Sequence, residues 1–191
     1  MPTSVNSDSS PAVLHGLAPV ADARTRVVIL GSFPGAASLA ARAYYAHPQN
    51  QFWRIVGDVI GQPLATLAYR ERLAALLDAG LGLWDVYASC TRAGSLDSAI
   101  RDAVPNDFKT LHRRAPHLRR VCHNGKTSAR FAPAFADAAV EVCVLPSTSP
   151  AYASLRYEEK LAQWAAALRI DRKSTRLNSS HEWISRMPSS A

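Results

Sequence analysis

Cysteine is scarce in this 191-residue chain: Cys90, Cys122 and Cys143 are an odd number, widely spaced, with no C-x-x-C pair. That spacing excludes an iron–sulfur cluster, a zinc knuckle and a redox dithiol, and leaves the thiols as small buried hydrophobes. No apolar run approaches the roughly 18–20 residues of a membrane span. The start, "MPTSVNSDSSPAV", lacks the basic opening and apolar middle of a secretory signal, so the expectation is a cytoplasmic protein with no membrane partner. Acids are few: 15 Asp and Glu against 22 Lys and Arg give a net charge of +7, which favours an anionic partner.

Several catalytic patterns are also missing. "GSFPG" matches neither G-x-G-x-x-G nor the phosphate loop, so neither a dinucleotide fold nor an NTPase is supported. G-x-S-x-G and the zinc-deaminase signature are absent. His112, His117 and His123 lack metal-ligand spacing, and no metal or cofactor is expected. No pair of acids argues for ordinary glycoside hydrolysis, so Asp85 and Asp97 read as structural.

What is present divides into three parts. Residues 1–24, rich in Ser, Pro, Asp and Ala without a period, read as a flexible leader, and residues 25–170 as one domain. From Asp171 the run "DRKSTRLNSSHEWISRMPSSA" loses all apolar periodicity and resembles the translation of a sequencing adapter; residues 171–191 are expected to be disordered and are set aside. That tail holds four basic and two acidic residues, so the charge without it is still +5.

Within the domain, strand and helix alternate. "RVVILG" (26–31) suits a buried parallel strand, and "NQFWRIVGDVIG" (50–61) carries Phe52, Ile55, Val56, Val59 and Ile60 at helical spacing. "ATLAYRERLAALLDAG" is an amphipathic helix stopped at Gly80, followed by a strand over "LGLWDVYASC". Then come a helix in "NDFKTLHRRAP" with Asn106 as its cap, a strand in "LRRVCHNG", a helix over "KTSARFAPAFAD" broken near Pro133, a strand in "AVEVCVLPS" and a closing helix in "LRYEEKLAQWAAALR". The alternation predicts an α/β fold whose functional loops follow the strands: "GSFPGAAS…HPQN", "ASCTRAGSLDS", "HNGK" and "PSTSPAYAS".

Gly31, Pro34 and Gly35 are explained by a tight turn alone, but "YYAHPQNQFW" is not: an exposed aromatic there offers a stacking surface for a base. In "HNGK", Asn124 is a base contact or part of an αL turn, and Lys126 a solvated residue or a phosphate contact. "LPSTSPAYAS" carries three hydroxyls before a helix, where one would suffice as a cap and the others could hold a phosphate.

Together, "GSFPG", "YYAHPQNQFWRI", "LWDVYASCTRAGSLDSAI", "NDF", "HNGK" and "LPSTSPAYA", in that order over about residues 26–168, resemble the uracil-DNA glycosylase superfamily and its hypoxanthine-DNA (deoxyinosine) glycosylase branch. The resemblance implies a three-layer α/β/α fold with a central four-stranded, mainly parallel sheet. It also implies a monofunctional glycosylase that flips a deaminated base, most simply hypoxanthine, out of double-stranded DNA; uracil, an etheno or alkylated base, or damage binding without chemistry are the alternatives. The protein is expected to act as a monomer.

Phe33 stands where most of the superfamily has Asp, Asn or Glu, and Leu145 where uracil-specific relatives have histidine, so the resemblance moves catalysis to Asn50, as a holder of the attacking water. It implies a base site of Gly31, Ser32, Phe33, Pro34, Gly35, Tyr45 and Asn124, with Tyr45 stacking on the flipped base, Tyr44 and Phe52 shaping its pocket, and Asn124 polarising the leaving base. Ser147, Thr148, Ser149, Tyr152 and Lys126 are expected at the DNA, and Tyr152 or Leu155 in the gap the base leaves.

Overall fold

The computed structural model describes residues 12–136 and 139–169. In chain order its elements are β1 (Val13–His15), β2 (Val27–Gly31), α1 (Ala36–Ala41), α2 (Phe52–Ile60), α3 (Tyr69–Asp78), β3 (Leu81–Asp85), β4 (Tyr87–Thr91), β5 (Arg101–Pro105), α4 (Lys109–Arg114), β6 (Arg120–Asn124), α5 (Lys126–Ala129), β7 (Glu141–Leu145) and α6 (Tyr157–Leu168).

Four strands form one sheet in the order β3-β2-β6-β7, every neighbouring pair parallel. In β2 each residue is buried, as a β-branched run covered on both faces should be. Side chains alternate along it: Val27 and Ile29 pack with Phe52, Trp53 and Ile55 of α2, Leu76 of α3 and Trp164 of α6. Val28 and Leu30 pack on the other face with Leu111 of α4, Trp84 and Phe135. The expected three-layer arrangement is therefore present, with a core on each side of the sheet. Register brings Gly31 opposite Asp85, and Asn124 opposite Leu145, so the strands end together on one rim.

Four expectations change. "LGLWDVYASC" is not one strand: it breaks at Val86, β3 staying in the parallel sheet while β4 joins a second, antiparallel sheet of order β1-β4-β5. Asn106 does not cap α4. Its side chain donates to the Asp85 carbonyl at 2.8 Å, while Asp107 accepts from the Lys109 N–H. The helix expected from Lys126 is a single α turn followed by a 3₁₀ turn over Ala132–Phe135, with Pro133 at its start.

The leader does not extend to residue 24. Val13–His15 pairs with β4, and Val20 exchanges two hydrogen bonds with Leu83, covering part of the outer edge of β3. Single bridges and a three-residue strand leave no period to read in the sequence. Residues 1–11 of that leader, and the tail from Asp171, lie outside the described residues.

His123, wholly buried in β6, shows how polar groups are housed there. Ser128 donates its hydroxyl hydrogen to the Leu30 carbonyl at 2.7 Å, so Nδ1 of His123, 2.8 Å away, must carry the ring proton and donate to Ser128. Nε2 has no partner among the described residues, and burial lowers the imidazole to about 4. Among the described residues no helix is long and apolar enough to cross a membrane.

Candidate active site

Loops leaving β2, β4, β6 and β7 enclose a cleft of about 500 Å³ at the carboxyl ends of the parallel strands. Its lining includes the 31–35 turn, Tyr45, His47, Asn50, Asp85, Asp97, Asn124, Ser147, Ser149 and Tyr152. Backbone strain marks the wall after β2: Tyr45 has φ of 54°, a left-handed conformation unusual for a bulky side chain. It is held there by Phe52, on which its ring stacks at 3.8 Å between centroids and 11° between planes, and by Asn124, which donates to its hydroxyl at 3.2 Å. Tyr44 takes the opposite course. It is 3% exposed, and its hydroxyl donates to the Ala18 carbonyl at 3.1 Å. Both border the cleft, and Tyr44 also anchors the loop.

Asn50 lines the cleft and also serves the helix behind it, since its Oδ1 accepts the Phe52 N–H at 3.0 Å. A carbonyl oxygen has two lone pairs, so one remains for a water. In the 31–35 turn, the N–H groups of Phe33 and Gly35 have no acceptor among the described residues. Phe33 itself is 6% exposed and lies under the Arg92 guanidinium, 5.1 Å from its ring centre.

Three expected residues stand in settings that the sequence did not show. Both N–H groups of the Asn124 amide are taken, by Tyr45 and by Thr148 Oγ1, and its oxygen accepts the Thr148 N–H, so Asn124 has no donor left for a leaving base. Thr148 is buried in this contact at the wall of the cleft, its Oγ1 accepting from Asn124. Leu155 is half-buried and lies outside the cleft lining, whereas Leu96, at the mouth, is 58% exposed. Ser147 and Ser149 do face the cleft; their hydroxyl oxygens accept the N–H groups of Ser149 and Ala151, and their hydrogens stay free to donate. Lys126 is exposed outside the cleft.

The sequence reading missed what stands behind these loops. Lys160 of α6, 2% exposed, donates to Gln51 Oε1 at 2.9 Å and to the Tyr152 carbonyl at 2.8 Å, tying the segment that carries Asn50 to the loop after β7. Burial lowers its pKa. Arg92, 8% exposed, donates to the Pro34 carbonyl, and its Nε and Nη1 have no partner among the described residues. Asp97 accepts from Ser32 at 2.7 Å, and Asp85 is 3% exposed, its Oδ2 without a partner among the described residues. Both acids are in the cleft wall rather than remote from it. Asp85 had a signal, being the polar end of the apolar strand "LGLWD" on the rim where open α/β sheets bind ligands. Lys160 and Arg92 had none.

Fold and cleft together define an open-sheet α/β domain with its binding site outside the carboxyl ends of the strands. Residues 18–170 match the family model of the Uracil DNA glycosylase superfamily, and the chain belongs to that superfamily. A protein of Methanosarcina acetivorans named Hypoxanthine DNA glycosylase is 38% identical over 158 residues, covering 82% of this chain and 99% of its own. One of the same name from Methanosarcina barkeri is 41% identical over 137 residues, 72% of this chain and 87% of its own. A solution NMR structure of a Methanosarcina acetivorans protein, provisionally described as a uracil DNA glycosylase, superposes with a TM-score of 0.75 at 37% identity, covering 83% of this chain and 98% of that one.

Proposed function

We propose that this protein is a monofunctional DNA glycosylase that removes hypoxanthine from deoxyinosine in double-stranded DNA. The cleft supports the reading: Tyr45 stacked on Phe52, the Asn50 amide and the backbone of the 31–35 turn line it, in a chain whose relatives of the stated name match over 99% and 87% of their length. Flipping costs a few kcal/mol of unstacking and unpairing, least for a base already poorly paired.

The flipped base lies against Tyr45, whose rear face is fixed by Phe52. The bond from C1′ to N9 then breaks, its electron pair leaving with the base, and a water on the free lone pair of Asn50 Oδ1 adds to the cationic sugar. The water gives up one proton, and the departing base takes one. An amide is too weak a base to pull that proton early, so Asn50 works by positioning. The Phe33 and Gly35 N–H groups, in place of Asn124, meet the charge that develops on the base. Ser147 and Ser149 donate to flanking phosphates.

The test incubates the parent chain and Asn50→Ala with duplexes holding a single inosine or uracil, then uses alkali to cut at abasic sites. Strand cutting at inosine by the parent, reduced at least about 100-fold in the variant, is expected. Cutting at uracil alone, or lesion-preferring binding with no product, overturns the reading.

A further inference from the structure

The cleft and the chain around it differ in the sign of their charge. The chain carries a net +7, yet the cleft lining, among the described residues, holds no lysine or arginine, and Asp85 and Asp97 are both in it. Negative charge beside a DNA backbone repels phosphate and weakens binding. An acid that lowers affinity and still stands in the cleft is accounted for if it acts on the transition state and not on the bound duplex.

The two acids differ in access. Asp85 is 3% exposed, and its Oδ2 is sealed from solvent. Burial, then the negative charge of Asp97, push its carboxyl up to about 7. Asp97 is half-buried: Oδ1 accepts from Ser32 at 2.7 Å, while Oδ2 has no donor among the described residues and stays open to solvent. Its segment is fastened to the loop after β2 at three points. Arg92 donates to the Pro34 carbonyl, Ser95 accepts the Ala36 N–H, and Ser32 holds the carboxyl itself. One oxygen of Asp97 is thereby fixed and the other is available.

We propose that Asp97 is a catalytic residue: its carboxylate faces the deoxyribose of the flipped nucleotide and stabilises the positive charge that develops at C1′ and O4′ as the base leaves. This inference rests on the glycosylase reading above, and not on which base departs. Nothing is transferred to Asp97. It attracts the cationic sugar while the water on Asn50 adds to C1′, and the attraction lapses when the sugar is neutral again.

The cation exists only once the glycosidic bond has stretched, so its attraction to Asp97 raises the rate without tightening the ground-state complex. A flipped nucleotide displaces water from the cleft, and the attraction is screened less there than on an open surface. A purely structural Asp97 predicts otherwise. Asparagine would accept the same hydrogen bond from Ser32, hold the segment in place and leave the rate alone.

The experiment compares the full chain with Asp97→Asn, which keeps an oxygen for Ser32 and loses the charge. Single-turnover release from an inosine duplex is expected to fall on the order of 100-fold. The Kd for a duplex of 2′-fluoro-deoxyinosine, whose fluorine opposes formation of the cation, stays within about threefold or tightens as the repulsion of phosphate is lost. A second measurement involves no bond cleavage. Two duplexes carry, at one position, either a pyrrolidine protonated where C1′ would be or a neutral tetrahydrofuran of the same shape. The parent should bind the pyrrolidine duplex at least about tenfold tighter than the other, and Asp97→Asn should bind the two within about twofold. The inference is overturned if Asp97→Asn matches the parental rate, if its rate falls only as far as its affinity for the fluorinated duplex, or if the parent does not prefer the pyrrolidine. A parent that releases uracil and not hypoxanthine overturns the hypoxanthine reading alone, and the rate comparison is then read on uracil. A parent that releases neither base overturns both.

Discussion

A methyl group at position 31 would crowd Asp85 at 2.3 Å and the Tyr45 hydroxyl at 3.3 Å, so the glycine there is required by its neighbours across the sheet. Gly31→Ala is expected to keep the fold, with a melting temperature lowered by a few degrees, while shifting the 31–35 turn and slowing inosine release at least about tenfold. Thermal melting beside single-turnover release checks both halves, and an equal rate would show that Asp85 has room to move. The placement of Asn50 and Tyr45 in the cleft lining was legible through the stretch "YYAHPQNQFW" and its resemblance to the superfamily. Asn124 and Thr148 looked the same from sequence and proved to satisfy each other. That distinction depends on who occupies the donors, which only the fold decides.

At the scale of elements, each wall of the cleft has its own support. Lys160 joins the start of α2 to the loop after β7, and Lys160→Met would leave Gln51 Oε1 and the Tyr152 carbonyl without their donor, at a cost of about 1–3 kcal/mol. Urea unfolding should show that loss, with inosine release slowed as Asn50 loses its setting. Opposite it, Leu96 stands 58% exposed on a segment pinned by Ser95 to the Ala36 N–H and by Asp97 to Ser32. An apolar side chain rigidly held at the mouth fits the gap left by a flipped base better than Leu155 does. Leu96→Ala should slow release from duplex about tenfold and from single-stranded DNA less than about twofold, since only a duplex has a stack to fill. β2 and β3 were readable because burial on both faces demands apolar runs, and β6 and the more exposed β7 because their β-branched residues end in polar loops. β1 and β5 were not: β1 has three residues and a partner distant in the chain, and β5 is largely exposed with a polar start and a terminal proline.

Over the whole molecule, two buried groups tilt stability in opposite directions with pH. Asp85 titrates at about 7 when folded against 3.8 ordinarily, so across that window the unfolded chain releases the proton first and stability falls as pH rises. His123 titrates at about 4 against 6.5, so the unfolded chain takes up a proton first as pH falls, and stability rises with pH over that range. The parent should therefore show a shallow dependence between about pH 4 and 6.5, the two slopes offsetting. Asp85→Asn removes one of them: its melting temperature should exceed the parent's at pH 8, match it near pH 4, and fall more steeply on acidification. A variant less stable than the parent at pH 8 would assign Asp85 a structural contact not seen here.

The break at Val86 divides the labour of the molecule. Upstream of it, β3 delivers Asp85 to a sheet whose two cores admit little change; downstream, the chain leaves for a small separate sheet, and the segment holding Ser95, Leu96 and Asp97 hangs between β4 and β5. One side of the mouth is thus a replaceable part, free to lengthen, shorten or change its tip over generations while the rest stays under the discipline of packing. A lineage built this way can try new lesions and new DNA contexts by editing a single hairpin connection.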